Sequence, residues 1–210
     1  MATIITEISK YLIIFFMVLY TIKCFTVLKP VREDKKNHAL NVQIVYVFII
    51  HFLCYLTLFL KYKTISIVIF YLLQMIVSIV YMVSYHGIYK KSSRLITNNM
   101  SFLLLIGYVM LTRLDYSSAV KQFMIAAGAI AISLVVPVII RKFKRFSEWR
   151  NFYAIVGIIS LAAVIVVGQV SGGAMLGFTV AGINVQPSEL VKIVFVFFVA
   201  SSFKMSLEFK

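Results

Sequence analysis

Charge is scarce in this sequence. Asp, Glu, Lys and Arg make up 13% of its 210 residues, where a soluble domain carries about 25%. A water-soluble fold needs a charged exterior that this chain cannot supply, and its 62% hydrophobic content points the same way. Cysteine is nearly absent too. Cys24 and Cys54 both fall inside apolar runs without metal-type spacing, which excludes a disulfide framework and a thiolate metal site; each reads as a small core or lipid-facing residue. The layout of a cleaved signal peptide is also missing. Glu7 and Lys10 precede a long apolar run and no small-residue cleavage site follows it, so the first segment is expected to stay as a helix.

What the chain does have is long apolar runs. About 20 residues at a rise of about 1.5 Å cross the roughly 30 Å of hydrocarbon in a bilayer. Seven runs qualify, at about 8–28, 42–60, 64–85, 97–114, 118–140, 152–169 and 188–205. The expected fold is therefore all-α, a polytopic membrane helix bundle of about seven transmembrane helices.

The net charge of +14 does not call for nucleic acid, because the basic residues sit in short loops between the spans. With the N-terminus outside, the inner side holds four of them in 29–36, three in 90–94, five in 141–150, and Lys204 and Lys210. The outer side holds Lys10, Lys61, Lys63, Arg113 and Lys121. This asymmetry predicts an N-out, C-in multi-pass protein.

Composition also divides the chain. Residues 1–94 read as three Tyr- and Phe-rich helices, whereas 126–182 is rich in Gly and Ala and suits close helix packing. The stretch "RKFKRFSEWRN" (141–151) interleaves cations with Phe143, Phe146 and Trp149, as expected of a segment lying on an anionic leaflet. By contrast, "VSGGAMLGFTVAGINVQ" (170–186) carries no charge and four glycines, and predicts a short hairpin or re-entrant piece.

Chemistry concentrates at "QPSELVK" (186–192). Pro187 suits a first helical position, and Glu189 can reach back to unpaired amides at the positive helix end. Lys192 is harder to place. It sits about 8 Å into the helix by the helical rise, and a cation there opposes the macrodipole. At spacing i, i+3 it shares a face with Glu189, so an ion pair is expected, on a face that lines a cavity. His51 and His86 read as satisfied interior residues, and Gln74 and Gln169 as glue between helices. Asp115, in "TRLDYSS", is the acid of the outer loops; it can pair with Arg113 or cap the following helix. No metal site or cofactor is indicated.

"INVQPSELVKIVFVFFVASSF" (183–203) resembles the signature of the FtsW/RodA/SpoVE family of shape, elongation, division and sporulation proteins, in which Gln-Pro-Ser-Glu and a Lys open a membrane helix. "MLTRLDYSSAVKQ" (110–122) is similar to the family's first outside loop, and "SGGAMLGFTVAGIN" (171–184) to the segment before the signature. The resemblance covers about 95–210, the first four helices of a core that usually has ten, behind a three-helix extension over 1–94. It implies a bacterial plasma-membrane enzyme of peptidoglycan biosynthesis, a glycosyltransferase that polymerises lipid II beside a class B penicillin-binding protein and other division or elongation proteins. Glu189 and Lys192 match positions that line the substrate cavity, and Gln186, Pro187 and Ser188 the helix-start signature. The family's catalytic aspartate has no match in this sequence, so the chain is expected to be a truncated, inactive part of an incomplete bundle. A lipid II flippase and a noncatalytic scaffold of the division machinery are the alternative expectations.

Overall fold

The computed structural model describes the backbone of residues 2–29, 32–143, 148–167, 169–171, 174–180, 183–185 and 187–208. Side chains are described over the same residues except 2, 163–188 and 204–208. The chain forms two compact units, Met1–Val135 and Val136–Lys210.

The first unit contains α1 (Ala2–Leu28), α2 (Glu33–Tyr62), α3 (Ile65–Ile88), α4 (Arg94–Leu114) and most of α5 (Tyr116–Lys142). All five are long and apolar enough to cross a bilayer. Even α4, with 21 residues, rises about 31 Å. The protein is thus a polytopic membrane helix bundle, and the first five expected spans map one to one onto these helices to within a residue.

Polarity in this unit is arranged opposite to that of a soluble protein. Ile22, Ile76, Leu103 and Met124 stand exposed, whereas Gln43, His51, Gln74 and Asn98 are buried. In water that distribution would be costly; in hydrocarbon the apolar exterior is solvated and polar groups must find partners inside.

Two hydrogen-bonded chains meet most of that demand, leaving His51 Nδ1 and Ser101 Oγ without partners among the described residues, and both chains cross between helices. In the first, Asn98 Nδ2 donates to Gln43 Oε1 at 3.0 Å, Gln43 Nε2 to Cys24 Sγ at 3.3 Å, and the Tyr20 hydroxyl to Asn99 Oδ1 at 2.6 Å. It ties α1, α2 and α4 together. In the second, His51 Nε2 donates to Gln74 Oε1 at 3.0 Å, Gln74 Nε2 to the Tyr55 hydroxyl at 2.7 Å, and Tyr55 in turn pairs with Thr112 Oγ1 at 3.0 Å. That chain joins α2, α3 and α4, so Gln74 acts as the interior glue expected of it; His51 is interior as expected but only half satisfied, its Nδ1 being buried without a hydrogen-bond partner among the described residues. Between the two chains lies apolar packing around Val47, Leu105 and Tyr108, with Tyr20 stacked on Phe102 at 4.4 Å between centroids.

Helix ends follow local chemistry. Lys63 closes α2 in the left-handed region (φ 52°), its amide donating to the Phe59 carbonyl at 2.7 Å, so that only Lys63 and Thr64 separate α2 from α3. Within α5, Pro137 removes the amide that would pair with the Ser133 carbonyl. The Tyr85 hydroxyl donates to that carbonyl at 3.2 Å, and the Tyr89 hydroxyl donates to the next one, Leu134.

The second unit holds α6 (Arg150–Val167), β1 (Gln169–Ser171), β2 (Ala174–Val180), β3 (Ile183–Val185) and α7 (Pro187–Glu208). The strands form an antiparallel meander, β1-β2-β3, pairing Ser171 with Ala174 and Phe178 with Val185. The described strands of the uncharged 170–186 stretch therefore pair backbone groups with one another, which makes a non-helical connection tolerable in an apolar setting. Two placements are corrected: α6 ends at Val167, so Gln169 opens β1 and lies outside the sixth helix, and His86, in the last turn of α3, is exposed and not an interior residue. Beyond the strands, α7 runs along α6, with Tyr153 stacked on Phe197 at 5.6 Å.

Candidate functional site

Pro187 is the first residue of α7, where its fixed φ fits and its missing amide costs nothing. Gln186 lies outside the described residues, as do Lys144, Arg145 and Phe146 of the basic loop. Two residues into the helix, Glu189 Oε1 accepts from Lys192 Nζ at 2.7 Å. The expected i, i+3 pair is formed. Its side chains are 62% and 69% exposed, so the ion pair is accessible and contributes little stability of its own, roughly 0.3–0.5 kcal/mol by analogy with exposed helix pairs.

A groove of about 260 Å³ lies between α6 and α7, lined by Tyr153, Gly157, Val194 and Phe198 among others. At about 100° per residue, Glu189 and Lys192 project about 140° away from the α7 residues that line it. The charged face of α7 is therefore turned away from α6. It carries a carboxylate and an ammonium whose four-carbon stem can swing from Glu189 to another anion.

Asp115 has a different task. Its amide donates to the Leu111 carbonyl at 2.8 Å and closes α4; its carboxylate opens α5, accepting the Ser117 and Ser118 amides, each at 3.1 Å. The Ser117 and Ser118 hydroxyls donate to it as well. The Ser118 hydroxyl above all, then the Ser117 hydroxyl and amide, hold the Asp115 carboxyl below the usual carboxylate range. A carboxylate so engaged is a weak base, and general acid/base work does not suit it. Arg113 lines the same open pocket of about 430 Å³ but is not ion-paired with Asp115. Of the two roles open to Asp115, the structure shows the helix cap.

The second polar chain was only half visible in the sequence. His51 and Gln74 stood out as polar residues in apolar runs; Tyr55, one turn from His51, and Thr112 did not. Thr112 lines the Arg113 pocket, so this chain runs from that pocket into the bundle. Among the described residues, no three of His, Cys, Asp and Glu gather as a metal site would require.

A family model described as that of a cell cycle protein, FtsW/RodA/SpoVE, matches residues 93–209. The chain belongs to this family. The matched residues include Arg113, Asp115 and the whole of "QPSELVK". No curated protein and no solved structure matches the chain. Membership of the FtsW/RodA/SpoVE family and the five bilayer-length helices agree on a membrane protein of the cell-wall machinery.

Proposed function

We propose that this chain is the N-terminal part of a lipid II-polymerising peptidoglycan glycosyltransferase, and that its own share of the work is holding substrate. The carrying observation is the exposed Glu189–Lys192 pair on the first two turns of α7, inside the family-matched segment and turned away from α6. A pyrophosphate approaching that face meets both a helix N-terminus and a mobile ammonium, two of the strongest general attractions for such an anion. Glu189 holds Lys192 in place until the anion arrives. Gln186, Pro187 and Ser188 set where the helix begins.

On this reading residues 1–94 are an extension ahead of the family core, the N-terminus is outside and the C-terminus cytoplasmic in a bacterial plasma membrane, and a class B penicillin-binding protein is the natural partner. On the same reading the chain by itself binds lipid II without extending it. Fluorescent lipid II titrated onto the purified chain in nanodiscs tests this. Lys192→Met should weaken binding about tenfold, the loss expected for one charge-assisted contact. Unchanged binding would overturn the assignment of Lys192, and glycan strands made by the chain alone would overturn the division of labour.

A further inference from the structure

Of the five basic residues assigned to the outer side by charge counting, three line a single pocket of about 520 Å³: Lys10 from α1, Lys61 from the last turn of α2 and Arg113 from the last turn of α4. The pocket also has one acid, Glu7, and that acid is spent on Lys10 at 2.6 Å. Lys61 and Arg113 have no carboxylate partner among the described residues. Thr3 and Thr57 share the wall, the Thr57 hydroxyl donating back to the Cys54 carbonyl at 2.7 Å, and Ile13 and Leu58 give it an apolar side.

A blander role exists for each cation singly. Lys61 and Arg113 lie in final helical turns, where a positive charge favours the negative end of the helix dipole. That role does not require the two side chains to border the same pocket with a third cation. Nor does it account for the combination of two cations without a carboxylate partner among the described residues, Lys61 lying only over the Tyr62 ring at 5.1 Å, with an apolar wall at the ends of membrane helices. This combination matches an amphiphile with an anionic head: a phosphate diester at the cations and chains along the apolar side.

The geometry points to a binding site for an anionic phospholipid headgroup, built by α1, α2 and α4. It is separate from the α7 face, and it gives the leading helices a task of their own. It rests on the pocket and its charges, whichever leaflet it faces. A lipid held there bridges α1 to α4 through its phosphate, adding an external tie to the helices that Tyr20 and Asn98 join internally.

The test is native mass spectrometry of the full 210-residue chain in detergent, titrated separately with phosphatidylglycerol and phosphatidylcholine. Phosphatidylglycerol should be retained preferentially, and Lys61→Gln with Arg113→Gln should weaken that retention by about tenfold or more while leaving phosphatidylcholine unchanged. Lys63→Gln with Lys121→Gln removes the same charge from the same end outside the pocket and should leave the preference intact. Far-ultraviolet circular dichroism of each variant separates loss of binding from loss of fold. Three results would overturn the site: equal retention of the two lipids, equal losses in the two double variants, or full displacement of phosphatidylglycerol by millimolar inorganic phosphate. The last would assign the pocket to a free anion.

Discussion

The Tyr85 hydroxyl lies 3.2 Å from the Ser133 carbonyl, the acceptor that Pro137 deprives of its helical amide. A proline inside a membrane helix frees a carbonyl that hydrocarbon cannot satisfy, and here a side chain from a neighbouring helix takes the place of the missing donor. The Tyr89 hydroxyl, from the residue that caps α3, donates to the neighbouring Leu134 carbonyl, so two tyrosine hydroxyls lie against the proline-interrupted turn of α5.

This relationship is testable by a double-mutant cycle. Tyr85→Phe should destabilise the protein by about 1 kcal/mol, a typical cost of orphaning a buried acceptor. In a Pro137→Ala background the new amide can take the Ser133 carbonyl, and the same change should cost roughly half as much. Thermal or steric-trap unfolding in detergent measures both; equal costs in the two backgrounds would contradict the pairing.

Gln74 is the middle of the His51–Gln74–Tyr55–Thr112 chain, so Gln74→Leu removes two bonds and leaves His51 and Tyr55 to find other partners. A loss of about 1–2 kcal/mol is expected. Tyr55→Phe combined with Gln74→Leu should cost less than the sum of the single changes, because they share a bond.

The Asp115 cap should show in hydrogen exchange at the Ser117 and Ser118 amides. Because the folded carboxyl titrates below its ordinary value, protection is full above the normal carboxylate range, near pH about 4, and falls as pH drops through the lowered value. Asp115→Asn should keep the cap and remove the pH dependence, while Asp115→Ala should speed exchange at both amides at every pH.

Lys63 holds a left-handed conformation without being glycine. Lys63→Gly should therefore raise stability by up to about 1 kcal/mol, less whatever entropy the unfolded chain gains. A drop in melting temperature would show that the lysine side chain contributes something the backbone does not.

The helices were legible because each is one unbroken apolar run, and the run beginning at Pro187 carried its own start signal. The Glu189–Lys192 pair was legible for the same local reason, a spacing of three on one helix. What could not be read was pairing across helices: Tyr55 meets Thr112 across 57 residues and Tyr85 meets Ser133 across 48, and no local pattern encodes either. Gln169 was misplaced because an apolar stretch does not reveal where helical period gives way to strand period. The Lys10–Lys61–Arg113 pocket was hidden similarly, since three cations that looked like scattered loop charges come from three different helices.

Asp115 ends one helix and begins the next with no residue between them, and this bears on how the chain enters its membrane. Over their most apolar 18 residues, α4 is the least apolar of the five bilayer-length helices, because it carries asparagines and threonines, among them the Asn98, Asn99 and Thr112 that bind it to its neighbours, while α5 is the most apolar. With one residue as their entire connection, the two must cross the insertion machinery as a hairpin. The transfer cost of α4's polar groups is then offset by the segment that follows it, before any of their final partners need to be in place.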